Sequence, residues 1–351
     1  MNGPCRRRRA ELTPSRLDLT RSQILAFRRR VGALEERLPG GSRSLRRAAW
    51  AGLQDSMPRA ALLSIHARVE GAHPSSWEDP SLVQVWGPRF STYVVPAHDR
   101  ALFTLGRLSD DASARERAEQ IAARLHAYLD GRQMGDGEAG HALGVNSNLF
   151  RYAAPTGTVL IRWEGARQPT IWTVPRPEVD PLAARRELAR RYLHVFGPTT
   201  QAAFATWAGI GPAEAGAAFD GLKRSLTAVL TPIGEAWILT RDEPEFRAPA
   251  GPAAAARLLP SGDAYYLLQG ADRELLVPDA ERRGELWTSR VWPGAVLVAG
   301  EIVGTWRRSQ AKLTITPWGR LGRPKREAVE AEAEGLPLPG VEGRIAVRWE
   351  G

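Results

Sequence analysis

Apolar positions along this chain alternate between two periods. A helical spacing begins at Leu19, with Thr20 placed to cap its first turn, and a second helix is predicted over residues 44–53. A third begins at Pro58, which suits a first helical turn, and runs to Val69 with Ala61, Leu62, Ile65 and Val69 on one face. Period two then takes over. Residues 82–86 and 90–95 are β-rich and flank Gly87-Pro88-Arg89, which predicts a hairpin. Helices followed by such a hairpin describe a winged helix-turn-helix.

The same order recurs twice with little shared sequence. Residues 112–131 form a helix with Ile121, Leu125 and Leu129 in register, residues 140–152 a shorter one, and residues 159–163 and 170–174 a hairpin. Pro175-Arg176-Pro177 then breaks the chain. Asp180 and Pro181 open the next helix as N-cap and first turn. Residues 201–208 and 213–226 follow as helices joined by Gly209-Ile210-Gly211-Pro212, with strands at 229–230 and 236–239. Beyond a Pro-rich linker at 249–252, runs at 275–278, 295–298, 302–306 and 312–316 read as strands, with a tight turn at Ala299-Gly300-Glu301. An acidic helix over 326–335 and a strand over 345–349 end the chain. The predicted fold class is therefore α+β: three tandem winged helix-turn-helix units and a small β-barrel-like C-terminal domain. The predicted boundaries are a disordered basic tail at 1–17, units at 18–108, 109–177 and 178–248, and the β-rich domain at 249–351.

Composition narrows the class. With 351 residues, 43% of them apolar, the chain can bury more than one core. No apolar run reaches membrane-spanning length, and Arg6-Arg7-Arg8-Arg9 lacks the apolar stretch of a secretory signal. A single cysteine, Cys5, leaves no internal disulfide framework or thiolate cluster. These features predict a soluble cytoplasmic protein. The net charge is +9, and among 48 basic residues only Lys223, Lys312 and Lys325 are lysines. Guanidinium groups suit phosphates and guanine edges. A GC-rich genome writes the same bias, so the charge makes nucleic acid a candidate partner without establishing it. The six histidines lack ligand spacing and there is no Gly-rich phosphate loop, so no metal or cofactor is expected. The twelve tryptophans fall mostly in strand patterns and read as core.

Several segments carry a resemblance. Gly52-Leu53-Gln54 precedes Pro58-Arg59-Ala60-Ala61 and Ala67-Arg68-Val69; Leu258-Leu259-Pro260 precedes Asp263 and Tyr265-Tyr266-Leu267. Asp272-Arg273-Glu274-Leu275-Leu276, Val296-Leu297-Val298-Ala299-Gly300 and Gly304-Thr305-Trp306-Arg307 follow in order. Spread over roughly residues 18–320, these segments make the chain resemble the winged-helix DNA glycosylases of the AlkZ and YcaQ group. The resemblance implies a C-shaped, DNA-wrapping monomer, associated with the nucleoid, that removes bulky or cationic N-alkylated purines and crosslinked bases without a cofactor. It also implies a catalytic signature of Gln-apolar-Gln or Gln-apolar-Asp. Here Gln54 falls on the first position and Ser56 on the last, while Asp55 occupies the apolar middle.

Hydrolysis of an N-glycosidic bond builds positive charge on the sugar and needs a placed water. An N7-alkylated purine leaves from a cationic state, so little acid catalysis is required. A glutamine carbonyl can hold a water but cannot take its proton, whereas a carboxylate can do both. In an extended segment Gln54 and Ser56 share a face and Asp55 points away; in a turn Asp55 swings in. Asp55 and Ser56 also stand where helix caps are common. Candidate DNA contacts are Arg89 and Arg167 on two wings, the Gly300 turn, which the resemblance implies is a DNA-probing hairpin, and Arg307 and Arg308 on its outgoing strand. The alternative to a monofunctional glycosylase acting on double-stranded DNA is a non-catalytic winged-helix DNA-binding protein, either a regulator or a damage-binding factor.

Overall fold

A computed structural model describes residues 17–57, 59–165, 168–249, 256–341 and 343–350. Residues 1–16 of the predicted disordered tail, Pro58, Arg167 and most of the 249–252 linker lie outside the described residues, whereas Leu17, the last residue of that tail, is in a strand. Three small antiparallel hairpins, each extended by one short strand, and one five-stranded sheet carry the architecture.

The first sheet places Thr92–Pro96 between Leu82–Trp86 and the short edge strand Leu53–Gln54, with Leu53 opposite Val94 and Gln54 opposite Tyr93. Helices Ser42–Ala48 and Ala60–Arg68 close its core around Leu45, Leu62, Ile65 and Trp77. The predicted helix over 44–53 stops at Ala48, because Leu53 is recruited as a strand. The second sheet joins Met134–Gly135, Thr170–Thr173 and Val159–Arg162. It packs on Ala112–Leu129, where Leu125 and Leu129 meet Phe150, Ile161 and Ile171. The single helix expected over 140–152 is two pieces, Asp136–Ala142 and Phe150–Ala153.

The third sheet pairs Leu226–Thr231 with Gly234–Leu239 below helices Pro181–Phe196, Gln201–Ala208 and Pro212–Leu222. Asp180 caps the first of these as expected, accepting from the Ala183 amide at 2.8 Å. The N-terminal segment joins this sheet: Leu17–Asp18 pairs parallel with Val229 and Leu230. Helix Arg21–Val31 buries Ile24 and Phe27 against Val229, Ile238 and Phe246, and the Phe27 and Phe246 rings stack at 3.7 Å. Thr20 forms the predicted cap as a full capping box with Gln23.

The C-terminal sheet runs in the order Arg257–Leu259, Gly294–Val298, Glu301–Ser309, Lys312–Pro317, Ala346–Trp349. It corrects the barrel expectation. The sheet is open, because its first strand Arg257–Leu259 and last strand Ala346–Trp349 do not pair; the last strand runs parallel to Lys312–Pro317, and helix Arg323–Glu334 covers one face through Val329 and Ala333. The run at 275–278 is not a strand but the end of helix Asp272–Leu276, whose Leu275 and Leu276 are buried. A continuous apolar run is the pattern that period alone cannot assign. One apolar core, including Tyr93, Phe103, Tyr192, Trp207, Tyr266 and Leu297, runs through all these parts and sets the first sheet against residues 257–297.

Candidate functional site

Leu53 is buried in the core of the first sheet, so alternation along the strand turns Gln54 to the opposite face. Asp55 returns to the core side and Ser56 emerges exposed. The extended alternative therefore describes this segment. Gly52 makes the entry possible: its φ is +80°, and a Cβ there would stand 2.9 Å from the Tyr93 ring and 3.0 Å from Phe103.

The Gln54 side chain is held at both ends. Arg89 Nη2 donates to its Oε1 at 2.8 Å, and Tyr93 Oη reaches the same oxygen at 3.5 Å. Arginine only donates, which fixes the amide orientation and leaves Nε2 to donate to Ser56 Oγ. Arg89 sits in a turn whose two residues Arg89 and Phe90 both have positive φ, 54° and 56°. Packing supports this turn: Phe90 lies 4.9 Å from the Tyr152 ring of the second helical region and 4.6 Å from the Arg107 guanidinium. Arg107 is itself buried, donates to Ala208 O at 2.7 Å and Trp86 O at 3.2 Å, and burial pulls its pKa down to about 9.

Gln54 and Ser56 line a cavity of about 230 Å³ with Arg89, Gly262, Arg290 and Trp292. Gly262 has φ +77°, and a Cβ there would come within 3.2 Å of the Gln54 amide carbon. Any side chain at 262 would press on the glutamine. Among the described residues, no carboxylate and no imidazole lines this cavity.

Asp55 has a different environment. It is 1% exposed. Its Oδ1 accepts from the Ala61 amide at 3.0 Å and its Oδ2 from Gln84 Nε2 at 2.7 Å, while Arg59 Nη1 lies 4.0 Å away. Burial raises its pKa to about 7, against the pull of the Ala61 amide, Arg59 and Gln84. Gln84 in turn accepts from the Trp163 amide at 2.7 Å, and Arg59 donates to Trp163 O at 3.3 Å. Asp55 thus ties the start of helix Ala60–Arg68 to the hairpin of the second sheet.

The other predicted contacts separate. The Ala299-Gly300 turn forms as expected, with φ of 51° and 82°, but Gly300 is buried and its carbonyl accepts from Arg29 Nη1 at 3.1 Å. Glu301 takes both ends of the Arg21 fork at 2.8 and 2.6 Å. The hairpin tip is anchored on helix Arg21–Val31, away from Gln54. Arg307 and Arg308 are exposed; Arg307 donates to Val291 O at 3.3 Å, which brings it to the rim of the Gln54 cavity. Arg308 turns to Gln310 O at 3.4 Å. Sequence reading missed Ser261, Gly262, Arg290 and Trp292. Gly262 and Asp263 adjoin the Tyr265-Tyr266 segment, so the only signal was a glycine beside a recognised motif. Among the described residues there is no group of three or more His, Cys, Asp or Glu that could hold a metal ion, and no helix is long and apolar enough to cross a membrane.

A family model described as DNA glycosylase AlkZ-like matches residues 47–337. A curated protein from Streptomyces sahachiroi, named interstrand DNA cross-link repair glycosylase, is 28% identical over 173 residues, 48% of this chain and 46% of that protein. The match spans about half the length of that relative. The solved structure of Streptomyces sahachiroi DNA glycosylase AlkZ superposes with a TM-score of 0.77 at 20% identity, covering 95% of this chain and 100% of that one. It shows that the two share a fold.

Proposed function

The chain belongs to the AlkZ-like DNA glycosylase family, and from that premise we propose that it hydrolyses the N-glycosidic bond of alkylated or crosslinked purines in double-stranded DNA, with Gln54 and Ser56 as the reacting face. The carrying observation is the chain Ser56–Gln54–Arg89, held in one amide orientation at the rim of a cavity that, among the described residues, no carboxylate or imidazole lines. Gln54 Oε1, whose second contact to Tyr93 Oη is long at 3.5 Å, can accept from a water in its place, and the Ser56 hydroxyl can hold the same water. The water oxygen bonds to C1′ as the C1′–N bond breaks, and the bond's electron pair leaves with the base. A cationic N7- or N3-alkylpurine departs neutral and needs no proton; the water's proton passes to solvent. A site built this way assists substrates whose leaving group is already activated, and gives little to an unmodified purine.

The cavity is smaller than the roughly 300–1,000 Å³ usual for a bound small molecule. Its size and rim suit a sugar–phosphate edge held against Arg89, Arg290 and Arg307 rather than an enclosed base. The finer architecture belongs to the same proposal. Each of the three small sheets with its helices serves as a winged-helix unit over 18–108, 109–177 and 178–248, with helix Arg21–Val31 lent to the third and the β-rich domain following from 249. A monomer working in the cytoplasm on nucleoid DNA fits this reading.

The test is release of 7-methylguanine from a duplex, measured with wild type and Gln54→Ala. Release by the wild type above the spontaneous rate, lost in the variant, is expected. Duplex binding that weakens steeply with salt but yields no abasic product would instead identify a non-catalytic DNA-binding protein.

A further inference from the structure

A second and larger cavity, about 670 Å³, takes no part in the chemistry above. Seven arginines line it against two carboxylates, Asp99 and Glu245. Three of the seven are paired locally: Arg68 with Asp263 at 2.6 Å, Arg191 with Asp99 at 2.8 Å and Arg241 with Asp242 at 3.6 Å. Arg28 and Arg30 find only backbone acceptors. Arg28 Nε and Nη2 donate to the carbonyls of Gly197, Phe196 and Pro198 at 3.1, 2.7 and 3.2 Å, and Arg30 Nη2 to Glu245 O at 2.6 Å. Arg28 Nη1 has no hydrogen-bond partner, although the residue is only 2% exposed. The Asp272 carboxylate attracts this guanidinium without hydrogen-bonding it, and a dehydrated guanidinium with an unused N–H gains from a further anion that reaches it.

The cavity is separate from the Gln54 site but shares a wall with it. Gly52 and Tyr265 face the large cavity, whereas Gln54 and Gly262 of the same two segments line the small one. Trp50 adds an aromatic surface, with His194 against its edge at 5.3 Å and Arg191 over its ring at 4.9 Å.

We propose that this cavity is a binding site for a phosphate group, with Arg28 at its base and Arg30 and Arg47 at its mouth. Guanidinium forks match phosphate oxygens in pairs. The volume falls within the range of about 300–1,000 Å³ typical of ligand sites. Two sources carry that chemistry, the DNA backbone and a free phosphorylated small molecule, and the site chemistry is the same for both.

The full-length chain titrated with inorganic pyrophosphate in a calorimeter tests the assignment. Saturable binding is expected, weakened about tenfold or more by the double variant Arg30→Ala/Arg47→Ala and unchanged in Gln54→Ala. Both substituted arginines reach solvent, so a thermal melt matching wild type checks that the double variant folds. A short undamaged duplex then separates the sources. Displacement of pyrophosphate by the duplex identifies backbone phosphate as the occupant, and simultaneous binding identifies a free phosphorylated ligand. No saturable heat up to about 10 mM pyrophosphate, or binding that the double variant leaves intact, overturns the proposal. Neither probe carries a lesion, so the outcome is independent of glycosylase activity.

Discussion

The strand Leu53–Gln54 and the two residues after it present two faces that differ in kind. On one, Gln54 and Ser56 reach an open cavity and are held by side chains that a ligand or water can join. On the other, Asp55 is enclosed, with a backbone amide on one oxygen and Gln84 on the other. Adjacent residues, one of them exposed, thus divide two tasks. The proposed reacting face stays open because the buried face fixes the strand, the following helix and the neighbouring hairpin.

Substitutions on the two faces should separate activity from stability. The largest effect on turnover is expected from Gln54→Ala, a loss of about a hundredfold or more in base release. Its thermal midpoint should stay near wild type, because the glutamine is only half-buried. Asp55→Ala should do the reverse. It leaves the Ala61 amide without an acceptor and Gln84 Nε2 with only Trp163 O at 3.3 Å, at a cost of about 1–3 kcal/mol in a denaturant titration, with base release per folded molecule nearly kept. If Asp55→Ala abolished release while leaving stability intact, the division between the faces would be wrong.

A pH series sharpens the same contrast. The folded-state pKa of Asp55 is raised to about 7 from 3.8, so the folded protein binds the proton more tightly than the unfolded chain. The contribution of Asp55 to stability is therefore greatest below about pH 4 and declines as pH rises to about 7. Asp55→Asn should flatten this slope, as read from denaturant midpoints at several pH values. Smaller effects belong to the residues that orient the amide. Arg89→Ala should cost about tenfold in base release, and Arg89→Lys should recover only part of it, because a lysine cannot reproduce the fork. Ser56→Ala should cost less again, about two- to fivefold, because Gln54 Oε1 still holds the water.

The sequence made these faces partly legible. An extended segment, one of two arrangements the sequence leaves open, puts Gln54 and Ser56 on one side, and a capping role for Asp55 is visible from its place before helix Ala60–Arg68. The partners were not visible. Arg89 lies 35 residues further on and reads as a wing contact, yet it bonds Gln54 through a positive-φ turn that only tertiary packing supports. Gly262 and Arg290 come from a segment with weak periodicity, and Asp55 finds Gln84 and, through it, Trp163 of another sheet. The Gly300 turn was legible as local geometry, but its placement depends on Arg29, whose burial in a helix of three consecutive arginines no periodicity indicates. The N-terminal helix was grouped with the sheet that follows it in sequence, whereas its apolar face matches the third sheet.

The central claim is that the reacting face works through Gln54 and Ser56, with no titrating acid or base. The most direct test is the rate of 7-methylguanine release against pH between 5.5 and 8.5, corrected for spontaneous loss and run well below the melting temperature. A profile flat within about twofold is predicted, because the groups on that face do not change charge in this range. An inflection near pH 7 that disappears in Asp55→Asn would contradict it and return the buried carboxylate to the chemistry.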